Sequence, residues 1–342
     1  MFKRVLVAGL LAAAAFWAGG GLGAAAPDLN NPTGTRGLIL IDKVGRRVRF
    51  FDPMTRTELS SIEAATAPHD LAISPDHRTA YIPVYGDGVY GNNPHPGHEI
   101  AIVDLMSRSQ IGTIDVSPYQ APHGIQIDAA GLLYVTCDLS RKLLVINPKT
   151  RSIEAAIDTE GTGHWVAVLP DARKAYVANK NDRLFVSVID LQARKIVARV
   201  PTPKGTQGIA ASPDGTRVVV ADFGDPALIV IDTATDKVID SVPLEGNQRA
   251  AFKPRYSPDG RTILVCNLAE RSVTVLEAAH MRAKQHVLPV GKDPMGMAFA
   301  ADGRIALVAN HGDGTMTVID VQQPHVLATF TGGTGIESLS YF

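Results

Sequence analysis

The sequence predicts an all-β fold, a seven-bladed β-propeller of four-stranded antiparallel blades, with the ring closed by pairing the C-terminal strand with the N-terminal strands. Three observations carry this. One unit recurs along the chain, each copy carries β-rich runs between turn residues, and the two ends hold complementary pieces of one more copy.

The repeat is read from residues 100–105 (IAIVDL), 143–148 (LLVINP), 186–191 (VSVIDL), 228–233 (LIVIDT), 273–278 (VTVLEA) and 316–321 (MTVIDV). Their polar ends, Asp104, Asn147, Asp190, Asp232, Glu277 and Asp320, are 43, 43, 42, 45 and 43 residues apart, and a seventh copy places Asp52 another 52 residues upstream. This is the period of a four-stranded propeller blade. Between the strands recur tight turns such as Ser212-Pro213-Asp214-Gly215 and Ser257-Pro258-Asp259-Gly260, where proline presets φ and glycine supplies the positive φ. The N-terminal piece, residues 37–63, has three strands and lacks the one that should precede them; residues 335–342 (GIESLSYF) match it. Joining the two hides the strand edges that an open array would leave.

The second strands read YVTC (134–137), YVAN (176–179), VVAD (219–222), LVCN (264–267) and LVAN (307–310). With the SPDG turns and the VID continuation to Lys237, the chain resembles the YVTN-repeat, YncE-like family over residues 37–342. The resemblance implies an exported propeller and no particular reaction, so activity must be argued from a site.

The remaining organisation is simple. Residues 1–25 form a signal peptide, with a Met-Phe-Lys-Arg start, an alanine-rich apolar run and small residues before Pro27; residues 26–36 are an extension, and 37–342 the propeller. The expected location is periplasmic or secreted, with no membrane span once the signal is removed. A net charge of -1, from 33 basic and 34 acidic residues, argues against nucleic acid as a partner. The register puts Cys137 and Cys266 about three blades apart, too far to form a disulfide.

Candidate chemistry lies where the innermost strands begin. Counting back from the inner turns gives, in ring order, Glu337, His69, His123, His164, Gln207, Phe252 and Met295, one polar arc and one apolar arc. His69, His123, His164 and Glu337 form a set that could hold a divalent metal, since neutral imidazole suits zinc, copper, nickel or iron and a carboxylate can complete the shell. The competing reading makes these histidines bridges between blade tips. An insertion in the first complete unit, residues 84–99, offers Tyr85, Tyr90, His95 and His98 as a lid over the channel. Further along the innermost strands, Ala72, Ala167, Ala210, Ala298 and Ser340 are small, and Gln126 and Arg255 break the pattern. Arg255 could clamp a carboxylate or phosphate, or pair with an acidic neighbour. Lys180, Asp222, Asp225 and His311 are rim candidates.

Two function classes follow. The first is a binding module holding a small anionic ligand or a periplasmic protein at the top of the channel. The second is a metal-dependent lactone or ester hydrolase, or a lyase, using the histidine cluster. No G-x-S-x-G elbow, P-loop or recognisable cysteine nucleophile is present.

Overall fold

The computed structural model describes residues 36–89, 92–180, 182–202, 204–222, 224–246 and 252–342. The predicted leader lies outside the described residues. None of their helices is long and apolar enough to cross a membrane.

Seven sheets of four antiparallel strands are arranged as a β-propeller. Six are built from consecutive strands. The seventh, here blade 1, takes its innermost strand, Ile336–Tyr341, from the C-terminus and pairs it with Leu38–Asp42, which continues to Arg47–Phe51 and Glu58–Glu63. Blades 2 to 7 follow in chain order. Their innermost strands are Ala72–Ile73, Pro122–Ile127, Gly163–Val168, Thr206–Ala211, Pro254–Tyr256 and Pro294–Phe299.

The second and third strands of each blade are almost wholly buried, as in Lys174–Asn179 and Phe185–Asp190, because both of their faces pack against neighbouring blades. This explains their continuous runs of valine, isoleucine and alanine. Fourth strands alternate, as in Lys195–Pro201, where one face meets solvent. The inner turns hold the predicted chemistry: Ser212 Oγ donates to Asp214 Oδ1 at 2.6 Å, and Gly215 sits at φ 71°.

Blades approach one another closely at the top of the innermost strands. A Cβ on Gly124 would lie 2.8 Å from the His164 carbonyl oxygen, and one on Gly208 2.6 Å from that of Phe252. Glycine is required at Gly124 to bring the His123 and His164 strands together, and at Gly208 to bring those of blades 5 and 6 together. Cys137 and Cys266 are free and buried in the second strands of blades 3 and 6.

Candidate functional site

The register brings the histidine arc together. The ring centroids of His69 and His123 are 3.8 Å apart with planes tilted 42°, and those of His123 and His164 4.2 Å apart at 35°. Glu337 joins from blade 1, with His69 Nε2 at 3.5 Å from Oε1, His311 Nδ1 at 3.4 Å from Oε2 and Lys43 Nζ at 3.9 Å. Gln207 continues the arc, buried, and its backbone bonds the His164 ring.

Depth is what differs from the sequence reading. His69, His123 and His164 are 4%, 1% and 3% exposed, so they plug the top of the channel instead of lining an open mouth. Tyr85 and Trp165 pack against them: Tyr85 is edge-on to His123 at 5.2 Å, and Trp165 lies 4.0 Å from His164. His123 Nδ1 bonds the His164 carbonyl at 3.1 Å, which also accepts from the Thr136 hydroxyl at 2.7 Å.

This arrangement corrects the metal set. Rings stacked on one another turn their nitrogens outward along different edges, whereas a metal needs lone pairs converging on one point. Among the described residues no group of three or more His, Cys, Asp or Glu is placed to hold a metal ion, so His69, His123, His164 and Glu337 do not form such a set. All three histidines are held neutral. Burial pushes each pKa well below 6.5, and the positive charges of Lys43, Lys180 and Lys253 act in the same direction.

The expected lid is likewise corrected. Tyr85 is fully buried at the end of the strand Thr79–Gly86 and donates from its hydroxyl to Asp138 Oδ2 at 2.7 Å. His95 and His98 stay exposed and pair with local aspartates, His95 with Asp87 at 3.4 Å and His98 with Asp115 at 3.1 Å. Tyr90 lies outside the described residues. Of the rim candidates, Asp222 caps its own loop through the Gly224 amide, Asp225 pairs with Lys204, and Lys180 is half-buried with its pKa lowered by burial.

Asp138 was not visible as a site residue in the sequence. Burial pushes its pKa up to about 6, against the Tyr85 hydroxyl, the Leu139 amide, Lys180 and Lys43. It occupies the position equivalent to Lys180 one blade on, and no recurrence marked it.

Below the imidazole layer the channel widens into a cavity of about 470 Å³ that reaches the inner turns at Pro213 and Pro258. Its polar lining includes Asp70, Gln126, Lys253, Arg255, Ser257, Ser338 and Ser340. Gln126 is accounted for, because its Oε1 accepts the Val168 amide of the next blade at 2.9 Å. Lys253 lies 4.6 Å from the Trp165 ring centroid, a cation–π contact. Arg255 is enclosed by the ring yet exposed to the channel. None of the described residues gives it a hydrogen bond or ion pair, so the acidic partner weighed from the sequence is absent among them. Burial lowers its pKa, and the Asp70 carboxylate opposes that shift.

The Cytochrome D1 heme domain family matches residues 127–258, from the innermost strand of blade 3 to the start of blade 6. No curated protein matches the chain. Among solved structures, hydrazine synthase of Kuenenia stuttgartiensis is similar with a TM-score of 0.72 and 19% identity, over 85% of this chain and 93% of that one. A functionally unknown protein from Desulfotomaculum acetoxidans is similar with a TM-score of 0.74 and 11% identity, over 89% and 98%. At such identities the likeness is one of fold, and these neighbours are β-propellers like this chain.

Proposed function

We propose that the protein is an exported, YVTN-type propeller that binds a small anionic molecule in its central channel, with Arg255 holding the anionic group. The observation that carries this reading is Arg255 itself, a cation enclosed by the ring, open to the cavity and unpaired among the described residues. With no acceptor of the fold beside it, its guanidinium donors are left to solvent or to a ligand that enters the channel. A planar guanidinium with free donors is suited to a carboxylate or phosphate. The cavity falls within the range of ~300 to 1,000 Å³ common for small-molecule sites.

This moves the ligand from the top of the channel, where the sequence alone put it, to the space beneath the imidazole plug. The cavity reaches the inner turns at Pro213 and Pro258, which makes that face the route of entry. The metal-dependent hydrolase reading loses its ligands with the stacking of the three rings.

A haem, suggested by the partial family match, does not fit the residues present. Haem iron is held by an axial histidine, cysteine, methionine or tyrosine; the cavity lining contains no histidine or cysteine, and its Tyr256 and Met297 are 8% and 2% exposed, packed into the blade cores. The three histidines above it are packed against one another and shut from the channel.

The test is titration of the mature protein with small carboxylates, with and without amino groups, read by calorimetry and by the fluorescence of Trp165, which lines the cavity. Saturable binding is expected, weakened at least about tenfold in Arg255→Met, the loss of one charge-assisted contact. No binding to the wild type, or equal binding to the variant, would overturn the reading.

A further inference from the structure

Arg255 is not the only charge in the cavity. Asp70 stands on the innermost strand line of blade 2, with blades 7 and 1 between it and blade 6 on one side and blades 3, 4 and 5 on the other. The two groups therefore face each other across the channel. Asp70 is 8% exposed, and Ser338 of blade 1 donates to its Oδ1 at 2.7 Å, which fixes the carboxylate in place. Its Oδ2 has no hydrogen-bond partner among the described residues.

Opposite charges within reach of each other normally pair. Here no ion pair joins them, although Asp70 is the carboxylate that Arg255 senses. Where other innermost strands carry Ala72, Ala210 and Ser340 at the level of Arg255, the side chains are too short to bridge the gap. What results is a cavity with a positive pole on one wall and a negative pole on the other. A simple anion answers only the first pole and is repelled by the second.

We infer that the ligand is a zwitterion of amino-acid type, its carboxylate on Arg255 and its ammonium group on Asp70 beside the Ser338 hydroxyl. This rests on the channel reading above. The ammonium is a primary one: a quaternary ammonium is held by aromatic faces, and the aromatic residue of the lining at the register position of Asp70, Trp165 of blade 4, is engaged by Lys253. Lys253 also adds a second cation to the lining, so Arg255 and Lys253 together outnumber Asp70. An amino acid with a second carboxylate balances that count, which selects the acidic members of the class.

The probes are L-glutamate and glutarate, which differ by the amino group alone, titrated in parallel into the mature protein. L-glutamate is expected to bind at least about tenfold more tightly than glutarate. Asp70→Asn, which keeps the shape and an acceptor for Ser338, should erase that preference without weakening glutarate. Arg255→Met should weaken both. Equal affinities for the two probes, with dependence on Arg255 intact, would overturn the zwitterion and leave the anion site standing. Failure of both probes to bind, or indifference of L-glutamate binding to Arg255→Met, would overturn both. Melting curves of the two variants confirm that the ring is folded in each measurement.

Discussion

His69, His123 and His164 illustrate how one residue type at one repeated position acquires a meaning only at its depth. Neutral and stacked, they are a layer of the core. Their folded pKa values lie well below 6.5, from burial first and from neighbouring positive charge second. The unfolded chain takes up their protons near pH 6.5 while the folded chain refuses them, so the stability they contribute is complete above that value. It falls as the pH drops, until the folded pKa values are passed. Three such groups give a slope of up to about 4 kcal/mol per pH unit. His123→Phe keeps a ring for the stack, and the His164 carbonyl keeps the Thr136 hydroxyl. Urea unfolding between pH 7 and pH 5 should show the variant losing stability less steeply than the wild type, by up to about 1.4 kcal/mol per pH unit, the contribution of one proton. Equal slopes would mean that His123 is charged in the folded protein. The arc was legible in the sequence because its members share a register position. Its depth was not, because the same spacing describes a rim or a plug, and only the close approach of Gly124 to the His164 strand decides between them. Asp70 and Arg255 recur nowhere in the repeat and meet only across the ring.

Ring closure depends on one strand and one carboxylate. The strand Ile336–Tyr341 pairs with Leu38–Asp42, and the Phe342 ring packs edge-on against Phe50 at 6.4 Å between centroids. Asp42, fully buried, accepts from the amides of Gly45 at 2.9 Å, Gly335 at 2.9 Å and Thr334 at 3.1 Å, and from Arg49 Nε at 2.8 Å. Burial works to raise its pKa, but the Gly335, Thr334 and Gly45 amides and the Arg49 guanidinium together bring it below the ordinary value. Asp42→Ala leaves three amides and a guanidinium without their acceptor and should cost about 3 kcal/mol. Asp104, a half-buried turn carboxylate that also accepts two amides, provides the comparison, because water can reach those amides there. Equal losses of melting temperature in Asp42→Ala and Asp104→Ala would show that Asp42 is no more than another turn residue. The strand itself was readable, since residues 335–342 supply the pattern missing before Gly37. The latch was not, since an aspartate at the end of a strand is indistinguishable in sequence from the repeat's turn aspartates.

An open array of repeats behaves as a one-dimensional stack, in which each unit touches only its neighbours and one end can come apart while the other persists. A closed ring has no end from which to fray. Two reporters are built into this molecule at nearly opposite points, Cys137 in blade 3 and Cys266 in blade 6, both fully buried. Burial holds their thiols far from reactive, pushing Cys266 up to about 12 and Cys137 higher still. Neither can be labelled until its own blade opens. In the closed ring, opening blade 3 strips packed faces from blades 2 and 4 as well, so local opening should approach the cost of global unfolding. Pulsed thiol labelling across a denaturant series, resolved by peptide mass spectrometry, should therefore find both cysteines reacting in the same step in which the β-sheet signal is lost. Removal of residues 335–342 turns the ring back into an open array, and the two cysteines should then react at separate denaturant concentrations. Labelling of either cysteine well before the main transition of the intact protein would show that its blades unfold independently and that closure does not couple them.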